Sequence, residues 1–334
     1  MTFGVEAYTI SKMKRSTRTK KKGFAGRGPL ARKVIASAQL HLQSKITNLA
    51  EWRDAKIRAE DYQKTIIFPN DLTQYDPLHG LYIYGQNQLS ILIEQLADLP
   101  MLDKLSDAYA EAHEEYVPSG PPMSPLTKSY FTCWGSFDLC HGGAKKESLG
   151  TVAIDFCRFM NIDEGLIAVF EKMQESRMGI YKQEGMSGNY VTIKELVTNK
   201  KIKVLSTSGY QGRPGEIWYT RILPPPFEGT SMDYSIVFTT PYVLGKNGSR
   251  NEFIPFVETD WLEFFERNLK KIKAENITVA YENLMKYGLS RNYWNEFVFL
   301  SYRNHRPDMI FLEGIPDIPS SMPHTEEGRG KLNL

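Results

Sequence analysis

The chain has 334 residues, of which 41% are hydrophobic and 12% are aromatic, as is typical of a globular protein with a real core. No apolar run is long enough to span a membrane, and the N-terminus has no apolar signal-peptide stretch, so we expect no membrane contact. Three cysteines, an odd number, argue against a disulfide framework and predict a reducing, cytoplasmic compartment.

The net charge of +2 is unevenly distributed along the chain. Residues 1–33 carry ten basic residues and one acidic residue, giving an N-terminal arm of charge +9 on a body of charge −7. Such an arm is predicted to be disordered, and its charge favours contact with a polyanion or with the acidic body itself. The cluster KMKRSTRTKKK also resembles a nuclear-localisation signal, so a nuclear location is expected if the source is eukaryotic.

Apolar residues at helical spacing predict the N-terminal half of the chain to be helical. A long amphipathic helix is predicted over 29–65, with Pro29 in its first turn, and two more over 86–99 and 101–116. A linker rich in Pro and Ser follows, and then a helical pair over 149–161 and 163–177. Asp163 is placed to cap the second helix of that pair.

From about Met178 the hydrophobic period changes to two, which predicts strands. The strand candidates are 189–196, 201–207, 215–223, 233–244 and 252–257. With turn residues between them, they predict an antiparallel β-meander.

Helical patterns resume after the strands, over 258–273, 276–288 and 290–305, and a last short strand is predicted over 308–314. The predicted fold class is therefore α+β. The predicted divisions are a basic arm (1–33), a helical region (34–117), a linker (118–128), a second helical region (129–177), the β-meander (178–258), C-terminal helices (259–315) and a tail (316–334).

The strand GEIWYTRIL raises the possibility of a binding surface. Alternation places Trp218 and Ile222 on one face and Tyr219 and Arg221 on the other. Upstream, Lys201 and Lys203 alternate with Ile202 and Val204, which predicts a solvated basic side. Together with Arg213 in the Gly-rich turn, Tyr219 and Arg221, they could form a basic, aromatic surface of the kind that contacts phosphates and stacks bases. The wet face of an ordinary antiparallel sheet explains the same residues.

Residues 178–224 resemble a β-unit found in uncharacterised bacterial proteins, some of which carry a SEC-C zinc motif. ELVTNKKIKVLS followed by GEIWYTRILP is similar to that unit at Glu195, Leu196, Thr198, Val204, Gly215, Arg221 and Pro224. Asn199 stands where the unit usually has Gly. The resemblance covers about a seventh of the chain, lacks the SEC-C cysteines, and implies a β-subdomain without an activity.

Motifs for enzymatic chemistry are weak in this sequence. Cys140 beside His141 suggests a thiol hydrolase, and His305 with Asp308 and Glu313 suggests a metal-dependent nuclease, but neither set has the spacing of a known site. Zinc ligation by the three cysteines and His141 is disfavoured because there is no CxxC pair. We therefore expect no metal and no cofactor.

The leading hypothesis is a nucleic-acid-associated binding protein, or a component of an assembly, that uses its basic arm. An enzyme with a site assembled from distant residues and a protein-interaction scaffold are the alternatives. The predicted nucleic-acid-binding residues are Lys12, Lys14, Arg15, Arg18, Lys20, Lys21, Lys22, Arg213, Tyr219 and Arg221.

Overall fold

The computed structural model describes residues 24, 26–43, 49–116, 128–140, 147–229, 231–247, 253–269, 275–287 and 311–313. Within them the chain is mixed α and β. The helices are α1 (Pro29–Gln43), α2 (Leu49–Gln63), α3 (Pro77–Ala97), α4 (Asp103–Tyr116), α5 (Lys128–Cys133), α6 (Leu149–Met160), α7 (Glu164–Glu175), α8 (Glu258–Leu269) and α9 (Ile277–Tyr287). The strands are β1 (Met178–Ser187), β2 (Tyr190–Glu195), β3 (Lys201–Ser206), β4 (Ile217–Leu223), β5 (Ser235–Val237), β6 (Tyr242–Asn247), β7 (Phe253–Pro255) and β8 (Phe311–Glu313).

Side-chain caps fix where several helices begin. The carboxylate of Asp163 accepts a hydrogen bond from the backbone N–H of Leu166, which confirms the predicted cap of α7. Asp76 caps α3 in the same way, and Pro77 occupies the first helical position. The helix α3 therefore begins nine residues before the predicted 86–99. In the sequence, Asp76, Pro77, His79 and Gly80 suggest a turn, and the capping hydrogen bonds of Asp76 are visible only in the structure.

The predicted N-terminal helix over 29–65 is described as α1 and α2, with residues 44–48 between them outside the described part of the chain. Since α1 begins at Pro29, it takes in the last five residues of the predicted arm. The predicted linker (from 118 to 127), the predicted helix over 290–305 and the tail (316–334) lie outside the described residues.

Five strands form a closed barrel in the order β1-β2-β3-β5-β4, and β4 pairs with β1 to close it. The pairing of β3 with β5 is parallel, whereas the other barrel pairs are antiparallel. The predicted meander is therefore wrong. Alternation identifies the two faces of each strand but not its neighbours, so the sequence could not distinguish a barrel from a meander.

The predicted strand 233–244 is interrupted and forms β5 and β6, which occupy successive parts of the same edge of β4. Between them, Pro241 has no N–H to donate to the ladder. The hydroxyl of Thr239 instead accepts a hydrogen bond at 3.1 Å from the backbone N–H of Arg221. The chain then continues along β6, which also pairs with β7 and β8.

Two hydrophobic clusters share the barrel wall. Inside the barrel, Trp218 packs with apolar residues of several strands, including Val191, Val204 and Val237. The opposite face of β1 and β4, with Ile180 and Tyr219, belongs instead to a larger core that the helices share. The helical layer thus covers one side of the barrel.

The segment that resembles the bacterial β-unit folds into β1 to β4, and several of its pattern positions have local structural reasons. Thr198 donates a hydrogen bond at 2.6 Å to Glu195 in the β2–β3 turn. Asn199 in the same turn has φ +57°, a left-handed conformation in which glycine has no steric penalty. Gly215, with φ +97°, makes the bend that enters β4.

Among the described helices, none combines the length and the apolar composition that a membrane crossing needs.

Candidate nucleic-acid interface

The surface predicted from GEIWYTRIL does not form. Alternation is as predicted, since Trp218 lies in the barrel interior and Tyr219 and Arg221 point the other way. However, the side of β4 that carries Tyr219 and Arg221 faces the helical layer, and these residues are 0% and 1% exposed. Their predicted place on a solvated face was wrong, because alternation cannot tell a solvent-facing side from one that a second layer covers.

Arg213 is exposed, in the turn that precedes β4. This turn packs against the β1–β2 hairpin. The side-chain amide of Gln211 donates to the backbone carbonyl of Gly188 at 3.2 Å, and the N–H of Gly215 donates to the backbone carbonyl of Gln183 at 2.8 Å. Arg213 therefore shares no exposed surface with its predicted neighbours Tyr219 and Arg221, which are buried. The predicted arm residues from Lys12 to Lys22 lie outside the described part of the chain.

Arg221 belongs to a buried ionic cluster, which we define as Asp138, Arg221 and Lys286. The guanidinium pairs with one carboxylate oxygen of Asp138, and the ammonium of Lys286 lies 2.8 Å from the other. Arg221 and Lys286 both donate to the backbone carbonyl of Ser176, at 2.9 and 2.8 Å. Burial lowers the pKa of Lys286, and the nearby Asp138 opposes that shift.

The buried ionic cluster connects three parts of the chain. Asp138 ends the π-helical turn after α5, Arg221 lies in β4, and Lys286 lies near the end of α9. Each charge is compensated inside the core rather than presented to a ligand. The cluster therefore fixes the helical layer on the barrel. Its members are 65 to 148 positions apart, so no periodic pattern in the sequence could have predicted it.

Lysines with partly exposed side chains, from 18% exposed at Lys194 to 67% at Lys201, are found instead on the neighbouring strands. Register places Lys182 of β1 opposite Lys194 of β2, and Lys194 opposite Lys201 of β3. The three ammonium-bearing side chains thus form a row across three strands, spanning about 10 Å at the usual spacing between strands. Lys203 lies on the same face of β3, two residues further along. We call Lys182, Lys194, Lys201 and Lys203 the lysine face.

Carboxylates partly neutralise the lysine face. Glu258, at the start of α8, accepts from Lys194 at 3.0 Å and from Lys182 at 3.1 Å, and these two hydrogen bonds lower its pKa. Lys201 pairs with Glu184 at 2.8 Å and Lys203 pairs with the exposed Asp233 at 3.0 Å. Four lysines thus face three acids, leaving one net positive charge.

An aromatic group borders the lysine face. The ammonium of Lys203 lies 4.4 Å from the ring centroid of Tyr190, a cation–π contact, and the ring of Tyr190 lies 5.1 Å from that of Tyr234. Both tyrosines are partly exposed. A cleft of about 390 Å³ adjoins them, and its charged lining residues are Arg177, Lys200, Lys201 and Lys203 together with Glu175, Glu195 and Asp233. Cations and rings are therefore combined at this edge of the barrel, through Lys201 and Lys203 of the predicted surface but not through Arg213, Tyr219 or Arg221.

The base of the N-terminal arm is anchored to the body by acidic side chains. The carboxylate of Glu147 accepts the backbone N–H groups of Leu30 and Ala31 at 3.0 Å, which caps α1. Arg27, one of the ten cations of the arm, forms ion pairs with Asp155 at 3.4 Å and with Glu171 at 3.3 Å. The last part of the predicted arm thus contacts the acidic body.

The residues of the predicted enzyme sites are mostly outside the described part of the chain, including His141, His305 and Asp308. Glu313 is in β8, where its backbone pairs with Val243. Cys133 and Cys157 are buried, which raises the pKa of each thiol to about 11 and disfavours the nucleophilic thiolate. Within the described residues, no group of three or more His, Cys, Asp or Glu side chains could hold a metal ion.

Comparison with known proteins gave no family model, no curated protein and no solved structure that matches this chain.

Proposed function

We propose that the protein binds nucleic acid, with the lysine face holding the phosphate backbone and the basic arm adding sequence-independent attraction. The observation that carries this proposal is the row formed by Lys182, Lys194 and Lys201 across three adjacent strands. Ammonium groups at regular spacing on a rigid sheet can contact successive phosphates, and such contacts provide most of non-specific affinity.

Tyr190 supports the same proposal. Its partly exposed ring lies beside Lys203, so a phosphate held by the lysine and a base stacked on the ring could belong to neighbouring parts of one strand. Stacking on an aromatic side chain is accessible to unpaired bases, which favours a single-stranded ligand. The choice between DNA and RNA is left to the experiment.

The barrel topology is compatible with this role. The order β1-β2-β3-β5-β4-β1 with β3 and β5 parallel is that of the small oligonucleotide- and oligosaccharide-binding barrels, which use the face of strands 2 and 3. The lysine face lies on β1, β2 and β3. A fold by itself does not determine function, so the likeness adds to the side-chain argument without replacing it.

The arm would act as a second contact. Its cations from Lys12 to Lys22 could neutralise several phosphates, and its base is fixed to the body at Glu147 and Asp155. A binding protein with one rigid and one tethered contact gains affinity because the second contact is intramolecular. The same two contacts would suit a component of a nucleic-acid-containing assembly.

Fluorescence anisotropy with labelled single-stranded DNA, single-stranded RNA and duplex DNA tests the proposal. Three full-length proteins are compared with wild type. In the first, Lys201 and Lys203 are changed to Gln. In the second, the arm residues Lys12, Lys14, Arg15, Arg18, Lys20, Lys21 and Lys22 are changed to Gln. The third, a matched control, has Lys56→Gln on α2 and Lys64→Gln in the turn that follows it.

We expect the lysine-face and arm variants each to bind a single strand at least about tenfold more weakly at low salt, because two or more phosphate contacts are lost. The α2 control should bind as wild type does. If wild type binds none of the three nucleic acids at low salt, or if the α2 control loses as much affinity as the lysine-face variant, the proposal is wrong.

A further inference from the structure

A groove of about 690 Å³ lies in the helical layer, away from the lysine face. It runs between α3 and α4 and is closed on a third side by α5 and the π-helical turn Trp134–Asp138. Its volume is within the range of small-molecule sites. The π-helical turn matters to its shape: a Cβ at Gly135 would overlap the ring of Tyr109, so glycine here allows the turn and α4 to approach closely.

Four hydrogen-bonding side chains converge on the groove. Gln86 and Ser90 are one turn apart on α3, and Thr132 and Ser136 are one turn apart on the facing segment. The same four residues also line a small adjoining cavity of about 10 Å³ that reaches Phe137 and Met173. Within the described part of the chain, these four side chains hydrogen-bond to no protein group, so their polar atoms are available to a ligand.

The rest of the lining is mainly apolar, and its only charged member among the described residues is Glu94. Glu94 lies at the exposed rim, one turn after Ser90 on α3. It is close to Tyr109: burial first, and then the charge of Glu94, raise the pKa of that tyrosine. An apolar wall, a polar base and a single rim carboxylate form an asymmetric site with one preferred sign of charge.

We propose that this groove binds a small amphipathic organic cation. The apolar body would lie against the aliphatic wall, and its hydrogen-bonding groups would meet Gln86, Ser90, Thr132 and Ser136. The ammonium would remain near the rim, between the carboxylate of Glu94 and the phenol ring of Tyr109, where charge attraction and a cation–π contact act together. An anionic ligand of the same shape would meet Glu94 without a compensating cation from the described lining.

Three ligands of nearly equal shape but different charge separate the contribution of the charge to binding from that of the apolar body. Tryptamine carries a positive charge, tryptophol is neutral and indole-3-acetate carries a negative charge. Binding of each to the full-length protein is measured by isothermal titration calorimetry or by ligand-observed NMR at millimolar ligand. We expect tryptamine to bind about three- to fivefold more tightly than tryptophol, because a partly solvated charge pair contributes about 1 kcal/mol or less, and indole-3-acetate to bind most weakly.

Variants locate the site. Glu94→Gln should remove the preference for tryptamine over tryptophol, whereas Glu111→Gln on the exposed side of α4 should leave it unchanged. Ala97→Phe should fill one end of the groove and weaken all three ligands. Should Ala97→Phe not fold, Ser90→Ala with Thr132→Val removes two hydroxyls at almost constant volume and should weaken tryptophol as well as tryptamine.

Absence of binding by all three ligands would overturn the proposal. So would equal or tighter binding of indole-3-acetate, or tryptamine binding that survives both the groove-filling variant and the hydroxyl-deleting variant. The site does not depend on the proposed nucleic-acid interface, and each can fail without the other.

Discussion

Asp138 and Arg221 form an ion pair that joins the helical layer to the barrel, with both side chains almost completely buried. Asp138 ends the π-helical turn after α5, and Arg221 lies in the middle of β4. Lys286 of α9 approaches the second carboxylate oxygen at 2.8 Å. One carboxylate therefore compensates two cations in the core, and no other carboxylate of the described residues pairs with either cation.

Because one carboxylate pairs with two cations, removing Asp138 and removing Arg221 should change the free energy of unfolding by unequal amounts. Asp138→Asn would leave two uncompensated buried cations, whereas Arg221→Met would leave the Asp138–Lys286 pair intact. Breaking a buried pair costs about 3–5 kcal/mol, and we expect Asp138→Asn to be in that range and to exceed Arg221→Met. The measurement is the free energy of unfolding from urea denaturation followed by tryptophan fluorescence.

The control for that comparison is Lys56→Met, which removes an exposed helix pair with Glu60 and should cost less than about 0.5 kcal/mol. If Arg221→Met were the more destabilising of the two core variants, Asp138 would not be the centre of the cluster.

Asn199 gives a second stability prediction, because its φ of +57° is unfavourable for most side chains. Asn199→Ala should destabilise the protein by about 1 kcal/mol, since alanine has no side-chain amide to make the left-handed conformation tolerable. Asn199→Gly should be neutral or stabilising. Thermal unfolding of the two variants measures this difference, and an alanine variant as stable as the glycine variant would contradict the role given to the turn.

The local structure was largely predictable from the sequence, because it depends on neighbours. The cap at Asp163 and strands β2, β3 and β4 follow from turn chemistry and alternation. The strand β1 was not predicted as a separate element, although the period changes at its first residue, Met178. Its Gly and Gln residues, with an irregular register between Gln183 and Gly185, hide the alternation.

The candidate site was less predictable, because it depends on which strands are neighbours. Lys201 and Lys203 were visible in the sequence as alternating cations, but their alignment with Lys182 and Lys194 requires the barrel register. Arg221 illustrates the opposite case: the same alternation predicted a wet face, yet the compensating Asp138 lies 83 positions away. Long-range charge compensation has no periodic signature.

Glu258 gives a prediction for the pH dependence of stability. Hydrogen bonds from Lys194 and Lys182 lower its pKa in the folded protein, so the ionised form stabilises the fold above the pKa of the unfolded chain, about 4.3. That stabilisation disappears as the pH falls through the lowered folded-state pKa. Urea denaturation should therefore show Glu258→Gln less stable than wild type by less than about 1 kcal/mol at pH 7, with the gap closing below about pH 4.

The control for this pH dependence is Glu228→Gln, which changes an exposed glutamate in the β4–β5 connection. A stability gap for Glu258→Gln that stays constant down to low pH would show that its carboxylate is not the source of the effect.

The same variant should change nucleic-acid binding in the opposite direction from the lysine variants. Glu258 competes with phosphate for two ammonium groups of the lysine face, so Glu258→Gln should let Lys182 and Lys194 bind phosphate more strongly and removes a repelling charge. We expect anisotropy titrations at low salt to show binding of single-stranded DNA or RNA tightened about two- to fivefold. Weaker binding by Glu258→Gln would indicate that the lysine face does not meet the phosphates.

The most direct test of the lysine face is the salt dependence of binding to a single-stranded oligonucleotide. The logarithm of the association constant is plotted against the logarithm of salt concentration for wild type and for the variant with Lys194, Lys201 and Lys203 changed to Gln. Each lost phosphate contact should reduce the slope by about 0.7, so the triple variant should have a slope shallower by about 2. A slope equal to that of wild type would show that these lysines contact no phosphate and would contradict the proposed function.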